Sequence, residues 1–192
     1  AIELWHGGPE SGNLYSRAAP LGPVSAPVDV DTPIQSSAMD KADIREFRRW
    51  HMEAAQRAKR AGFDIVYVYA AHGYGPMQFL LSRFNERTDE YGGSMENRTR
   101  LLRELIEDTK EAVGDTCGVA VRLAVDELLR TELLRLLPQV GWLSEETVDD
   151  ASRLDAERVW VVDPIDGTRS LIDGIPEFCV SVALVDHGVP VV

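Results

Sequence analysis

The chain is short of positive charge. Lys and Arg number 20 against 32 Asp and Glu in 192 residues, a formal charge of −12 at pH 7, with a pI near 4.7. This argues against an extended nucleic-acid or anionic-membrane surface, because a phosphate backbone needs a positive face to replace its counterions, and leaves room only for a local basic pocket. Long apolar runs are missing too. None approaches the roughly 20 residues that span a bilayer, and no basic-then-apolar signal segment opens the chain. A cytoplasmic setting is expected. Cysteine is scarce: Cys117 and Cys179 both lie in apolar, strand-like surroundings and read as buried reduced thiols, not disulfide or metal partners. Internal repeats and low-complexity tracts are absent. What is present, 44% hydrophobic and 27% charged residues, is the composition of a globular protein with the length of one average domain or two small ones. The chain starts at Ala1 inside the strand-like AIELWH and stops at Val192 in another apolar run, so both ends are expected to be cut.

After AIELWH, a Gly-, Pro- and Ser-rich loop runs to about Asp40, far longer than the usual ~4–6 residues between elements. From Asp43 to Ala61 the pattern is helical, with Ile44, Phe47, Trp50, Ala54, Ala55 and Ala58 on one face and Gly62 as the residue that ends it. FDIVYVYAA at 63–71 is too apolar for a half-exposed strand and reads as buried and parallel. A second long loop, His72 to Gly93, leads to Ser94, placed to cap a helix carrying Leu102, Leu105, Ile106 and Val113. Cys117 to Val125 is the next strand. Strands alternating with helices, and long loops after the strands, are the grammar of a parallel α/β fold, barrel or doubly wound.

In such a fold reactive groups gather at the C-terminal ends of the strands, here Trp5 and His6, Tyr69 to Tyr74, and Arg122. Arg122 sits mid-strand among apolar residues, where a buried guanidinium needs an anionic or carbonyl-rich partner. A salt bridge to Glu3 or Asp126 is the structural alternative to a ligand. Tyr69 and His72, three residues apart at a strand end, are placed to hydrogen-bond and tune a proton acceptor. His6 reads as a residue that satisfies loop backbone.

ELWHGG at 3–8, DIVYVYAAHGYGPMQFL at 64–80 and NERTDEYGGSMENRTR at 85–100 resemble the old yellow enzyme family of FMN-dependent TIM-barrel oxidoreductases, and within it the trimethylamine and dimethylamine dehydrogenases. The resemblance covers residues 1–126 and implies the third to fifth β/α units of a TIM barrel. It implies that Glu3 and Arg122 bind the flavin pyrimidine ring, that Tyr69, His72 and Tyr74 face the substrate, and that a small amine gives a hydride to FMN. A positive Arg122 there would stabilise the charge of a reduced ring.

Past Pro138 the texture changes. WLSEET at 142–147, VWVVD at 159–163 and FCVSVALVD at 178–186 are strand-like, and DHG at 186–188 before VPVV suggests a hairpin. In DPIDGT at 163–168, Pro164 bars helix interior, so Asp163 and Asp166 come off a turn at a strand end. Paired carboxylates with a main-chain carbonyl make a hard oxygen site suited to magnesium. Good turn chemistry alone is the alternative. WLSEET followed by VWVVDPIDGTRSLIDGIPEFCVSVALV resembles the inositol monophosphatase family, near its bisphosphate-nucleotidase branch. That resemblance implies an α+β fragment in which Glu145, Asp163, the Ile165 carbonyl and Asp166 bind Mg2+ and Thr168 orients the attacking water on a phosphate monoester.

Between the two lies VAVRLAVDELLRTELLRLLP, Val119 to Pro138. It is locally regular: strand, Asp126 as N-cap, then Leu129, Leu133, Leu136 and Leu137 on one helical face. The expected division is nevertheless residues 1–126 and 127–192, joined between Ala124 and Arg130. The chain is expected to be either an FMN oxidoreductase piece, a magnesium phosphatase piece, or a chimeric fragment in which neither site works. Its oligomeric state is left open.

Overall fold

The computed structural model describes residues 1–12, 15–28, 34–166 and 179–191. The chain parts into two compact units, Ala1–Ala124 and Val125–Val192.

The first unit is built on a three-stranded parallel sheet of β1 (Ile2–Leu4), β4 (Ile65–Ala70) and β5 (Gly118–Leu123), with β4 in the centre. Two further strands, β2 (Leu21–Gly22) and β3 (Ser37–Ala38), pair with each other inside the first long loop. The helices are α1 (Lys41–Arg60), α2 (Gly75–Leu80), α3 (Met95–Arg98) and α4 (Arg100–Val113). Helix α1 begins with a full capping box: Asp40 accepts from Ala42 and Asp43 N–H, and the Asp43 side chain accepts from Asp40 N–H. It ends at Gly62, whose φ of +84° is the left-handed conformation glycine adopts without steric cost.

Strand alternation gives the sheet two unlike faces. Val66 on β4 packs with Ile2, Leu4 and Val119 against Ala55 and Ala58 of α1 and Val113 of α4. Val66 and Val113, both fully buried, each contribute about 1.5–3 kcal/mol. The register Glu3↔Tyr67 and Tyr69↔Arg122 puts the polar and aromatic side chains together on the other face. Behind the core, α1 and α4 share a polar seam. Arg48 binds Asp108 through two bonds of 2.7 and 2.9 Å, and His51 meets Thr109 Oγ1 at 3.0 Å.

The second unit has a four-stranded sheet in the order β6 (Gly141–Ser144), β7 (Arg158–Asp166), β8 (Cys179–Asp186), β9 (Val189–Pro190), parallel between β6 and β7 and antiparallel beyond. Helix α5 (Val125–Leu136) contributes Leu129, Leu133 and Leu134 to a core of Trp142, Trp160, Val162 and Leu184. The hairpin turn is His187–Gly188, with φ of +47° and +82°, both left-handed as a tight two-residue turn requires.

Several expectations are corrected. Arg122 is exposed, because β5 is a sheet edge and its solvent-side groups have no neighbouring strand. Cys179 is exposed at the start of β8, whereas Cys117 is buried as expected. Asp126 lies within the first turn of α5 and is not its N-cap. Leu136 points outward at 63% exposure, and Leu134 takes its place in the core. Trp50 is 43% exposed and lines a cleft between β1 and α1. Ser94 caps the one-turn α3, after which Thr99 starts α4. Ile65 is 38% exposed and Tyr67 half-buried, so full burial on the central strand is limited to Val66 and to Val68 through Ala70.

Candidate active site

Three strand ends converge on the polar face of the first sheet. The Arg122 guanidinium donates to Glu3 Oε1 at 2.8 Å, reaching across β4 to do so. Glu3 holds the guanidinium proton more tightly than usual, raising the Arg122 pKa. The Arg122 Cζ also stands 5.3 Å from the centre of the Tyr69 ring, in cation–π contact. Tyr69 is buried, and its hydroxyl hydrogen-bonds His72 Nδ1.

This bond is possible because the chain reverses abruptly after β4. His72 has a φ of +56° and the following Gly73 +71°. A non-glycine residue in that region costs on the order of 1–3 kcal/mol. The turn brings the imidazole back over Tyr69, with ring centres 5.7 Å apart. Tyr74 closes the cluster at 5.9 Å from Tyr69, and Trp5 lies 4.9 Å from Tyr74.

The structure therefore gathers Glu3, Arg122, Tyr69, His72 and Tyr74 in one place. The salt bridge to Glu3 that sequence offered as the alternative role of Arg122 is present in the same site. Sequence reasoning missed Tyr67, which strand parity places on the same face between Glu3 and Ala120, and it gave Trp5 no role. Period-2 alternation along YVY carried the signal for Tyr67. His6 does satisfy loop backbone: its Nδ1 accepts the Gly8 N–H at 3.0 Å.

The long motif at 85–100 is scaffold. Asn85 donates to the carbonyls of Phe79 and Tyr91, both at 2.7 Å. Arg87 pairs with Asp89 and donates to the carbonyls of Pro23 and Met39. Arg98 donates to Leu80 and Gly93. A Cβ at Gly92 would stand 2.1 Å from the Arg87 carbonyl, so only glycine fits. The motif is specific because this loop is held by side chains where no ladder can hold it.

In the second unit, the register Ser144↔Val162 sets Glu145, just past the end of β6, next to Asp163 inside β7. The turn expected at Asp163 is not there: Asp163 pairs with Ser181 of β8, and β7 runs on to Asp166 across a register shift, where Asp163 Oδ1 accepts the Ile165 N–H at 3.1 Å. Among the described residues no three His, Cys, Asp or Glu side chains are gathered to hold a metal ion. Thr168 and the Asp166 side chain lie outside the described residues.

Residues 1–165 match the model of the NADH:flavin oxidoreductase / NADH oxidase family. The chain belongs to this family. It is 39% identical over 140 residues to the dimethylamine dehydrogenase of Hyphomicrobium sp., an alignment covering 70% of this chain and 19% of that protein. It is 40% identical over 157 residues to an NADPH dehydrogenase of Bacillus licheniformis, covering 78% and 43%. Among solved structures, histamine dehydrogenase from Rhizobium sp. 4-9 aligns with a TM-score of 0.62 at 44% identity, covering 74% of this chain and 22% of that one. The chain thus spans less than half the length of these relatives. Its similarity to old yellow enzyme structures fits the expected α/β fold of TIM-barrel type. The family match continues to residue 165, across the boundary expected at 126.

The donor set suits the flavin of such a family. A carboxylate, a guanidinium fork and flat aromatic faces on one sheet surface complement a planar ring with hydrogen-bonding edges and developing negative charge. The phenol and imidazole beside them have the chemistry to accept and donate a proton.

Proposed function

We propose that the first unit forms the ring-binding and substrate-facing wall of an FMN-dependent oxidoreductase that oxidises a small amine. The observation that carries this reading is the Tyr69–His72 hydrogen bond set beside the Glu3–Arg122 pair on one sheet face. The names of the relatives, dimethylamine dehydrogenase and histamine dehydrogenase, favour an amine over other hydride donors.

In this reading Glu3 and Arg122 hold the pyrimidine edge, and the cation of Arg122 stabilises negative charge that accumulates there. FMN supplies the hydride acceptor. An alkylammonium has no lone pair to assist hydride loss, so a proton must leave first. Tyr69 and His72 accept and relay that proton, and Tyr74 and Trp5 wall the substrate side. The free amine then gives up the hydride from the carbon beside nitrogen and becomes an iminium ion.

The test is an equilibrium titration of FMN with the full chain, followed by the flavin absorbance bands. Band shifts that saturate, and that weaken at least tenfold with Arg122→Ala, are expected. Unperturbed bands at excess chain would sink the reading. Because the chain supplies only part of the relatives' length, binding is expected to be weak, so the complex should dissociate on gel filtration.

A second reading concerns residues 127–192. The adjacency of Glu145, just past β6, and Asp163, on the neighbouring parallel strand β7, favours a magnesium-dependent phosphomonoesterase fragment. Glu145, Asp163, the Ile165 carbonyl and Asp166 would hold Mg2+ through oxygen, as that hard cation prefers, with Thr168 orienting the attacking water. Phosphate release from inositol phosphate or 3′-phosphoadenosine phosphates should require Mg2+ and disappear with Asp163→Asn. Release indifferent to that change would refute it. Failure of both tests would leave the chain as an inactive chimeric fragment.

A further inference from the structure

Two loops meet below the aromatic wall. The turn after β1 contains Gly7 and Gly8, and the turn after β4 contains Gly75. Gly75 N–H donates to the His6 carbonyl at 2.9 Å, while Gly8 N–H donates to His6 Nδ1 at 3.0 Å. A Cβ on Gly8 would lie 2.8 Å from Gly75 Cα, and one on Gly75 would lie 3.0 Å from the His6 carbonyl oxygen. No side chain fits between the loops, and Gly8 adopts a φ of +60° to make the approach.

His6 is the wedge that closes this joint. Its ring packs against buried Phe47 of α1 at 4.5 Å between centres. Trp5, next in the chain, lies over Gly7, where a Cβ would stand 3.0 Å from the indole ring. From there Trp5 reaches Tyr74, which directly precedes Gly75.

We infer that His6 is a positioning residue: as a neutral imidazole its Nδ1 holds the Gly7–Gly8 turn closed, and the closed turn sets Trp5 against Tyr74. The inference rests on the flavin reading only in that Trp5 and Tyr74 wall the substrate side in that reading.

The chemistry requires a specific tautomer. Nδ1 must carry its lone pair to accept the Gly8 N–H, so the proton sits on Nε2. Adding a proton at Nδ1 would set two donors face to face and open the turn. The titratable and charged groups that share its surroundings are Glu3 on β1, already paired with Arg122, and His51 behind Phe47 on α1, with Tyr74 directly before the Gly75 that meets the His6 carbonyl. Burial lowers the His6 pKa from its ordinary value of 6.5, which keeps the ring neutral at pH 7.

The experiment uses proton NMR of the full chain without flavin, on wild type, His6→Phe and His6→Asn. Phenylalanine keeps the packing on Phe47 and removes the acceptor. Asparagine places Oδ1 where Nδ1 stands and does not titrate. In His6→Phe, exchange of the Gly8 amide should rise on the order of tenfold, as for one lost hydrogen bond, and the Trp5–Tyr74 ring cross-peaks should vanish. His6→Asn should restore both and keep them down to low pH, whereas wild type loses them on acidification. Retention of both signals in His6→Phe, loss of both in His6→Asn, or a pH-independent wild type would each overturn the inference. If His6→Phe does not fold, His6→Asn and the wild-type pH series decide. None of these readouts needs FMN, so intact cross-peaks with a failed FMN titration would refute the flavin reading and leave His6 in place.

Discussion

His51 shows how a buried side chain contributes to the acid sensitivity of the first unit, alongside His6, whose pKa burial also lowers. His51 lies between α1 and α4, bonded to Thr109 Oγ1, and burial pushes its pKa down to about 4 despite the nearby Asp108 carboxylate. The unfolded chain takes up this proton near pH 6.5, whereas the folded one resists it to about 4. Stability is therefore full above pH 6.5, falls as pH drops through that window, and stays lost below it. The loss approaches about 3 kcal/mol, from roughly 1.4 kcal/mol per unit of pKa difference. Urea titrations at pH 7 and pH 4 should show it, and His51→Gln should remove most of the difference. An equal difference in the variant would assign the acid sensitivity to other groups.

At the level of elements, the loop that follows α2 is the most heavily held irregular segment of the unit. Asn85→Ala would strand the carbonyls of Phe79 and Tyr91 in a buried setting. At about 1 kcal/mol for each hydrogen bond and more for each orphaned acceptor, a cost of about 2–4 kcal/mol is expected, read as a lowered urea midpoint at unchanged slope. A cost below 1 kcal/mol would mean water replaces both donors. The same scale explains what could be read in advance. Helices α1 and α4 were legible because their apolar residues recur at helical spacing, and α1 also because its N-terminus carries a capping box. Helix α2 was not: Gly75 to Leu80 is buried on every side and so shows no periodicity, and its proline sits in the first turn, where it starts a helix instead of breaking one. Arg122 was placed beside Glu3 and Tyr69 but with the wrong burial, since nothing in GVAVRL says whether a strand is central or at an edge. Tyr69, His72 and Tyr74 were legible from the strand end that carries them, whereas Glu3 was legible only as a possible ion partner of Arg122 and through the family resemblance.

Over the whole molecule, the deficit of cations governs behaviour in solution. With a charge of −12 at pH 7 and a pI near 4.7, the protein is protected from association by self-repulsion at neutral pH and loses that protection where the charge vanishes. Turbidity should peak near the pI and be suppressed on returning to pH 7. A peak far from it would point to unfolding and not to charge. The open edges of the first sheet then matter for production of the protein. Among the described residues β1 and β5 each have one neighbouring strand, and Val121 on β5 is 40% exposed. An apolar parallel edge is a template for another nascent chain. In a crowded expression host, that edge would send material into inclusion bodies. A single lysine at this position, Val121→Lys, should act as a gatekeeper and raise the recovered soluble yield. An unchanged yield would show that neither β5 nor its edge limits recovery.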